Sequence, residues 1–296
     1  MFKFITRTPV LLLAAAVAAS VVVMKANAER ALSEQSAQAA GAPVSPPADN
    51  PLLAEWAGPH GGVPPFDRVQ VAQFKPALET AMAENLAEVD RIARDPAAPT
   101  FENTIAALER TGSKLDRVTT VYGVWSSTMN SPEFQAVQRE MAPKLAAFGD
   151  QITQNEALFK RIEGIFNSPA KSKLSPEQRR LTWLYYTNFV RSGAKLDAAS
   201  KARLSGINQK LAGLYTNFNQ HLLSDENDLF LVLKSEGELA GLPQSLRDAA
   251  AQAAASKKQP AGTWVVLNTR SSVDPFLTYS DRRDLREKVW RMFVNR

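Results

Sequence analysis

The chain has two imidazoles, the side chains that ordinarily titrate nearest neutral pH and the commonest metal ligands: His60 and His221. His60 lies in Pro59-His60-Gly61-Gly62, followed by Pro64-Pro65, which is a turn and not a phosphate cradle. His221 has Asp225 four residues on. Residues four apart share a helix face, so the pair could touch one metal ion. Two donors do not make a zinc site, however, and a surface histidine is the simpler reading. Ser224-Asp225 also reads as the start of a turn. The carboxylates group as Asp225, Glu226 and Asp228, then Glu236 and Glu238, then Asp281 and Asp284. Any of them could act as a general base, but runs of charge are usually solvated surface. Trp183, Tyr185, Tyr186 and Phe189 could stack a ligand, yet their spacing is that of a helix core. No H-E-x-x-H, G-x-S-x-G, P-loop or dinucleotide fingerprint occurs. The lack of cysteine excludes thiol catalysis, cysteine zinc sites and iron–sulfur clusters. The residues alone therefore name no catalytic, cofactor-binding or metal-binding position.

The elements that would position these side chains are mostly helices. Val71, Phe74, Leu78, Met82, Leu86, Val89 and Ile92 form an apolar stripe over 70–94, with Pro76 near the start. Thr100 caps a second helix with Phe101, Ile105 and Leu108, ending near Gly112. Leu115, Val118, Val121, Tyr122 and Trp125 mark a third. Ser131-Pro132-Glu133 is a cap, a first-turn proline and an acid, and opens a long stretch to Phe166 with a possible kink at Pro143. Ser175-Pro176-Glu177-Gln178 repeats that signal as a capping box. Asp197 opens the next helix, whose Leu204, Ile207, Leu211, Leu214, Tyr215, Phe218 and Leu222 give the clearest amphipathic stripe in the chain. Leu229 to Leu233 fits strand or helix. Gly241-Leu242-Pro243 precedes an alanine-rich helix to Ala255, and Trp264-Val265-Val266-Leu267 reads as a strand. The fold class expected is mainly α, with at most a small β element near 263–278.

Residues 1–28 have the three-part pattern of a secretory signal: Lys3 and Arg7, an apolar run from Pro9 to Met24, then Ala26-Asn27-Ala28. An uncleaved anchor is the rival, but the run is short of the ~20 residues a span needs. Residues 29–49 are rich in Ala, Ser, Gln, Gly and Pro and read as a flexible tether. An exported, periplasmic protein cleaved near Ala28 is the expectation. The net charge of +5 includes Lys3, Arg7 and Lys25, so the rest carries +2. That balance gives no case for nucleic acid or an anionic membrane as partner.

Six ordered blocks carry a resemblance. They are Asn50-Pro51-Leu52-Leu53 with Pro64-Pro65-Phe66-Asp67-Arg68-Val69; Phe74-Lys75-Pro76-Ala77-Leu78; Thr100-Phe101-Glu102-Asn103-Thr104-Ile105 with Leu108-Glu109 and Gly112; Leu214-Tyr215-Thr216-Asn217-Phe218 through Leu222 and Glu226-Asn227; Gly241-Leu242-Pro243; and Leu277-Thr278-Tyr279-Ser280-Asp281-Arg282 with Leu285-Arg286-Glu287-Lys288 and Trp290. Over about 50–296 the chain resembles the N-terminal part of the zinc oligopeptidases related to thimet oligopeptidase, with the bacterial dipeptidyl carboxypeptidases nearest. His221 stands where that family more often has an amide residue.

The resemblance implies a neurolysin-like, mostly helical fold split by a channel that admits short unstructured peptides. It also implies one zinc in the complete protein, held by H-E-x-x-H and a distant glutamate, and peptidyl-dipeptidase chemistry. Those residues belong to the family's C-terminal half, so none transfers to a position here. Residues 50–296 would be scaffold and channel wall. The segment from Ser280 reads as a helix capped by Ser280 or Asp281, with Leu285, Val289, Trp290 and Phe293 on one stripe and no stop signal. It suggests a chain cut within the scaffold, inactive alone, with a missing C-terminal half as a partner. The alternative is a non-catalytic helical periplasmic protein that binds peptides or a partner. A self-sufficient domain would bury Trp290 and Phe293; a fragment would leave them in an apolar patch on the order of several hundred Å2.

Overall fold

The structure, a computed structural model, describes residues 50–59 and 62–296. The signal-like segment 1–28, the tether 29–49 and His60 and Gly61 lie outside the described residues. The chain divides into two compact units, with the boundary between Thr216 and Asn217.

The first unit is helical. Helix α1 is Val71–Ala93, with Gln70 as an extended N-cap whose N–H is held by the Gln73 side chain at 2.7 Å. Of the stripe its sequence predicts, Phe74, Leu78, Met82 and Val89 are buried and Val71, Leu86 and Ile92 half-buried, while Ala77, Ala81, Asn85 and Ala93 complete the buried face. A π-helical stretch, Phe101–Ala106, continues as Ala107–Glu109, together α2. Helix α3 is Ser113–Thr128, α4 is Pro132–Thr153, α5 is Glu156–Asn167, α6 is Pro176–Arg191 and α7 is Ala198–Asp228. Gly112 does not close α2. It is the left-handed N-cap of α3, at φ +75°, and its N–H donates to Glu88 at 2.7 Å. The stretch expected to run from Ser131 to Phe166 is two helices. Asn155 breaks it by accepting from the N–H of Leu158 at 3.0 Å, so a second cap interrupts a continuous apolar pattern.

Two apolar clusters share α1. Its N-terminal half packs with α3 and α4 around Phe74, whose ring meets Phe134 edge-on at 5.1 Å and Trp125 at 5.4 Å. Its C-terminal end, at Val89 and Ala93, packs with α2, α5 and α6 through Ile105, Leu158, Ile162 and Phe189. Leu52 closes the first cluster, because Asn50 donates to the Gln73 carbonyl at 2.9 Å and turns the incoming chain onto α1.

The second unit holds strand β1, Phe230–Leu233, paired antiparallel with β2, Trp264–Leu267, in the register Phe230 to Leu267 through Leu233 to Trp264. Helix α8 is Gln244–Ser256, α9 is Arg270–Tyr279 and α10 is Arg283–Val294. Leu233, Leu242, Val266, Val273, Phe276, Leu285 and Val289 form its core. The small sheet is present, but its first strand is the ambiguous run before Leu233. Within 263–278 only residues 264–267 are strand, and α9 occupies most of the rest. Helix α10 is capped at Arg282, not at Ser280 or Asp281. Ser280 instead accepts from the Arg282 N–H at 3.2 Å, while the Asp281 N–H is taken by the Ala240 carbonyl at 2.9 Å. Phe293 packs on the core of this unit, and Trp290 is half exposed. Among the described residues, no helix is long and apolar enough to cross a membrane.

Candidate functional site

Helix α7 carries both the histidine and the longest apolar stripe. It starts well because Asp197 accepts from the Ser200 N–H and hydroxyl, each at 2.8 Å. It does not turn at Ser224-Asp225 but runs on to Asp228, where Ser224 donates to the Asp228 carboxylate at 2.8 Å. His221 is exposed and Asp225 half-buried, one helical turn apart on a continuous helix. Among the described residues no three His, Cys, Asp or Glu side chains converge on a possible metal position. With two donors from one helix and no third, the residues present do not fit a zinc ion.

The carboxylates are spread and mostly occupied. Arg296 binds Glu226 at 2.5 Å and the Asn268 carbonyl at 2.8 Å. Glu238 accepts from the Lys234 N–H at 2.5 Å, and Glu236 lies 3.6 Å from Arg247. Arg282 grips Asp284 with two bonds of 2.9 and 2.8 Å, and this guanidinium holds the Asp284 carboxyl below the usual aspartate range. Asp281 is exposed.

The aromatic group of α6 divides between packing roles. Phe189 is buried, Tyr186 stacks on Phe166 at 3.9 Å and 2°, and Tyr185 donates to Glu109 at 2.6 Å. Trp183 is exposed, with the Arg180 guanidinium 4.3 Å from its ring centre.

The motif residues likewise hold structure. Thr100 and Asn103 cap each other across α2, and the Asn103 amide donates to the Ala98 carbonyl at 3.0 Å. Thr104 meets the buried Arg161 of α5 at 3.2 Å. The same guanidinium ties down the carbonyls of Asp95 and Ala97, at 2.6 and 2.9 Å, and the Asp95 carboxylate at 3.2 Å. Gly241, at φ +83°, lies where a Cβ would run into the Tyr279 carbonyl, which explains the demand for glycine before Leu242-Pro243. One block is not explained by packing: Leu214, Tyr215 and Phe218 are 50%, 50% and 60% exposed. Sequence reasoning ranked their helix as the most amphipathic, yet only Lys201, Asn208 and Ala212 of it are buried.

Residues 76–201 match the family model of the neurolysin/thimet oligopeptidase N-terminal domain. Dipeptidyl carboxypeptidase of Escherichia coli (strain K12) is 32% identical over 241 residues, which are 81% of this chain and 35% of that one. These residues are therefore similar to the N-terminal domain of the neurolysin/thimet oligopeptidases. Oligopeptidase A of Escherichia coli (strain K12) is 27% identical over 247 residues, 83% of this chain and 35% of the relative. Organellar oligopeptidase A of Arabidopsis thaliana is 26% identical over 255 residues, again 83% of the chain and 31% of the relative. The chain thus spans about a third of the length of the curated relatives it matches, 35% for the first.

Proposed function

We propose that the polypeptide to which these residues belong is an exported zinc peptidase of peptidyl-dipeptidase type. Residues 50–296 supply scaffold and channel wall. The observation that carries this reading is the 241-residue match, at 32% identity, to a dipeptidyl carboxypeptidase. Its substrates are short unstructured peptides, shortened by dipeptides from the carboxyl end. The zinc and the glutamate that activates water lie outside these 296 residues, which contain no H-E-x-x-H. The segment ending near Ala28 directs export, and neither nucleic acid nor the membrane is a partner after its removal.

The role of these residues is then geometric. A helical wall held by cross-links such as Arg161 keeps its shape while a peptide threads past it, and excludes folded proteins by width. The 296-residue chain alone, purified and mixed with equimolar zinc, is expected to retain no zinc after gel filtration. It is also expected to leave a quenched fluorescent nonapeptide intact. Chelator-sensitive cleavage by that preparation would place catalytic residues within it and defeat the reading.

A further inference from the structure

The seam between α4 and α7 is unusual for the first unit. Its fully buried apolar part is three alanines, Ala142, Ala146 and Ala212. Alanines bury little area, so this contact contributes far less than the leucine and phenylalanine clusters around α1. The polar part is therefore prominent in deciding how firmly α7 is held. Asp150 of α4 and Asn208 of α7 face each other there, 7% and 3% exposed, and the Asn208 Nδ2 donates to Asp150 Oδ1 at 2.5 Å. The other two oxygens of this pair, Asp150 Oδ2 and Asn208 Oδ1, are buried and have no hydrogen-bond partner among the described residues.

Both orphan atoms are acceptors. Leaving a buried acceptor unpaired is costly, and leaving a buried carboxylate half-satisfied is more so. One added proton changes both at once. On Asp150 Oδ2 it removes the charge and creates the donor that Asn208 Oδ1 lacks. We propose that Asp150 keeps its proton in the folded protein at a pH where a free aspartate is already ionised, forming a neutral acid–amide pair with Asn208 that fastens α7 to α4. Acid then tightens the seam and base loosens it.

The electrostatic surroundings agree. Burial pushes the Asp150 carboxyl up, and the Asn208 amide bond and the nearby Ser205 hydroxyl oppose it only in part. Two charged groups of neighbouring elements, Lys201 and Asp90, are engaged in ion pairs of their own. Lys201 of α7 is bound to Glu156 of α5 at 3.1 Å, and Asp90 of α1 to Arg94 at 2.8 Å. The sign follows from the raised value. The contribution of this group to stability is fully present below the ordinary aspartate range and is lost as pH rises through the higher value in the folded chain. The device is a clasp on the helix that leads from one compact unit into the other.

The test is a pH series on the full chain and on Asp150→Asn, which places a neutral donor where the proton would sit. The Asp150 carboxyl 13C resonance, assigned by its loss in the variant, should titrate above about 3.9, the ordinary aspartate value. Hydrogen-exchange protection of residues 205–212, corrected for intrinsic rates, should fall through that same pH in the unsubstituted chain and stay flat in Asp150→Asn. At pH 8 the variant should melt at the same temperature or about 2–4 °C higher. A carboxyl that titrates at or below the ordinary value overturns the proposal. So does a variant that keeps the pH dependence, melts lower at pH 8 or fails to fold, because the neutral side chain is predicted to satisfy the site.

Discussion

Arg161 shows how much of the first unit hangs on one side chain. Its guanidinium reaches two carbonyls, a carboxylate and a hydroxyl that lie 57 to 66 residues away in sequence. Replacing it with leucine keeps the apolar stem but strands those acceptors. Arg161→Leu is expected to lower unfolding free energy by about 2–3 kcal/mol in urea titrations. Glu140 illustrates the opposite, exposed case. Lys75 and Lys144 lie 2.6 and 3.0 Å from it and hold its carboxyl below the usual glutamate range. A depressed carboxyl contributes above its unfolded value and loses that contribution as pH falls through the folded one. Between about pH 5 and 3 the melting temperature of the unsubstituted chain should therefore fall more steeply than that of Glu140→Gln, and 1 M salt should narrow the gap. Thr100, Ser131 and Ser175 were legible as caps because a cap acts on its own next turn. Arg161 and Asp150 were not, since a lone charge inside a helix pattern reads as surface until the fold brings its partner across.

At the scale of elements, the long apolar stripes of α1 and α3 gave their helices and buried faces directly. Local chemistry misled elsewhere, as at the Ser280 cap that the structure moves to Arg282. Asn155 cut one stretch into two helices, Gly112 opened a helix it was expected to end, and the Ser224-Asp225 signal lost to the hydrogen-bond ladder of α7. The stripe of α7 is the instructive failure. Amphipathicity shows that a helix has an apolar face, but not whether these residues cover it. Phe189 and Phe218 separate the two conditions. Phe189→Ala should cost about 3–5 kcal/mol, since it empties a buried site beside Phe159 and Tyr185. Phe218→Ala should change stability by no more than about 0.5 kcal/mol in the same chain, as expected for a 60% exposed ring. Chemical denaturation of the two variants side by side checks both.

For the whole molecule, the likeness to the N-terminal domain of these oligopeptidases was legible in ordered motifs, most of which turn out to be structural locks. That is why the likeness could be read without a single catalytic residue. Caps, a left-handed glycine and close backbone approaches constrain sequence as strongly as chemistry does. The zinc expectation rests on the resemblance alone, and among the described residues no three His, Cys, Asp or Glu side chains converge. The direct measurement is a paired assay for dipeptide release by mass spectrometry, on a peptide with a free carboxyl end and on its amidated form, with and without chelator. One sample is the native polypeptide captured from its source cells by antibodies to residues 50–296; the other is the 296-residue chain. The account predicts chelator-sensitive release of carboxyl-terminal dipeptides by the native polypeptide and none by the chain. Turnover by the chain alone, or a native polypeptide with no chelator-sensitive release, would contradict it.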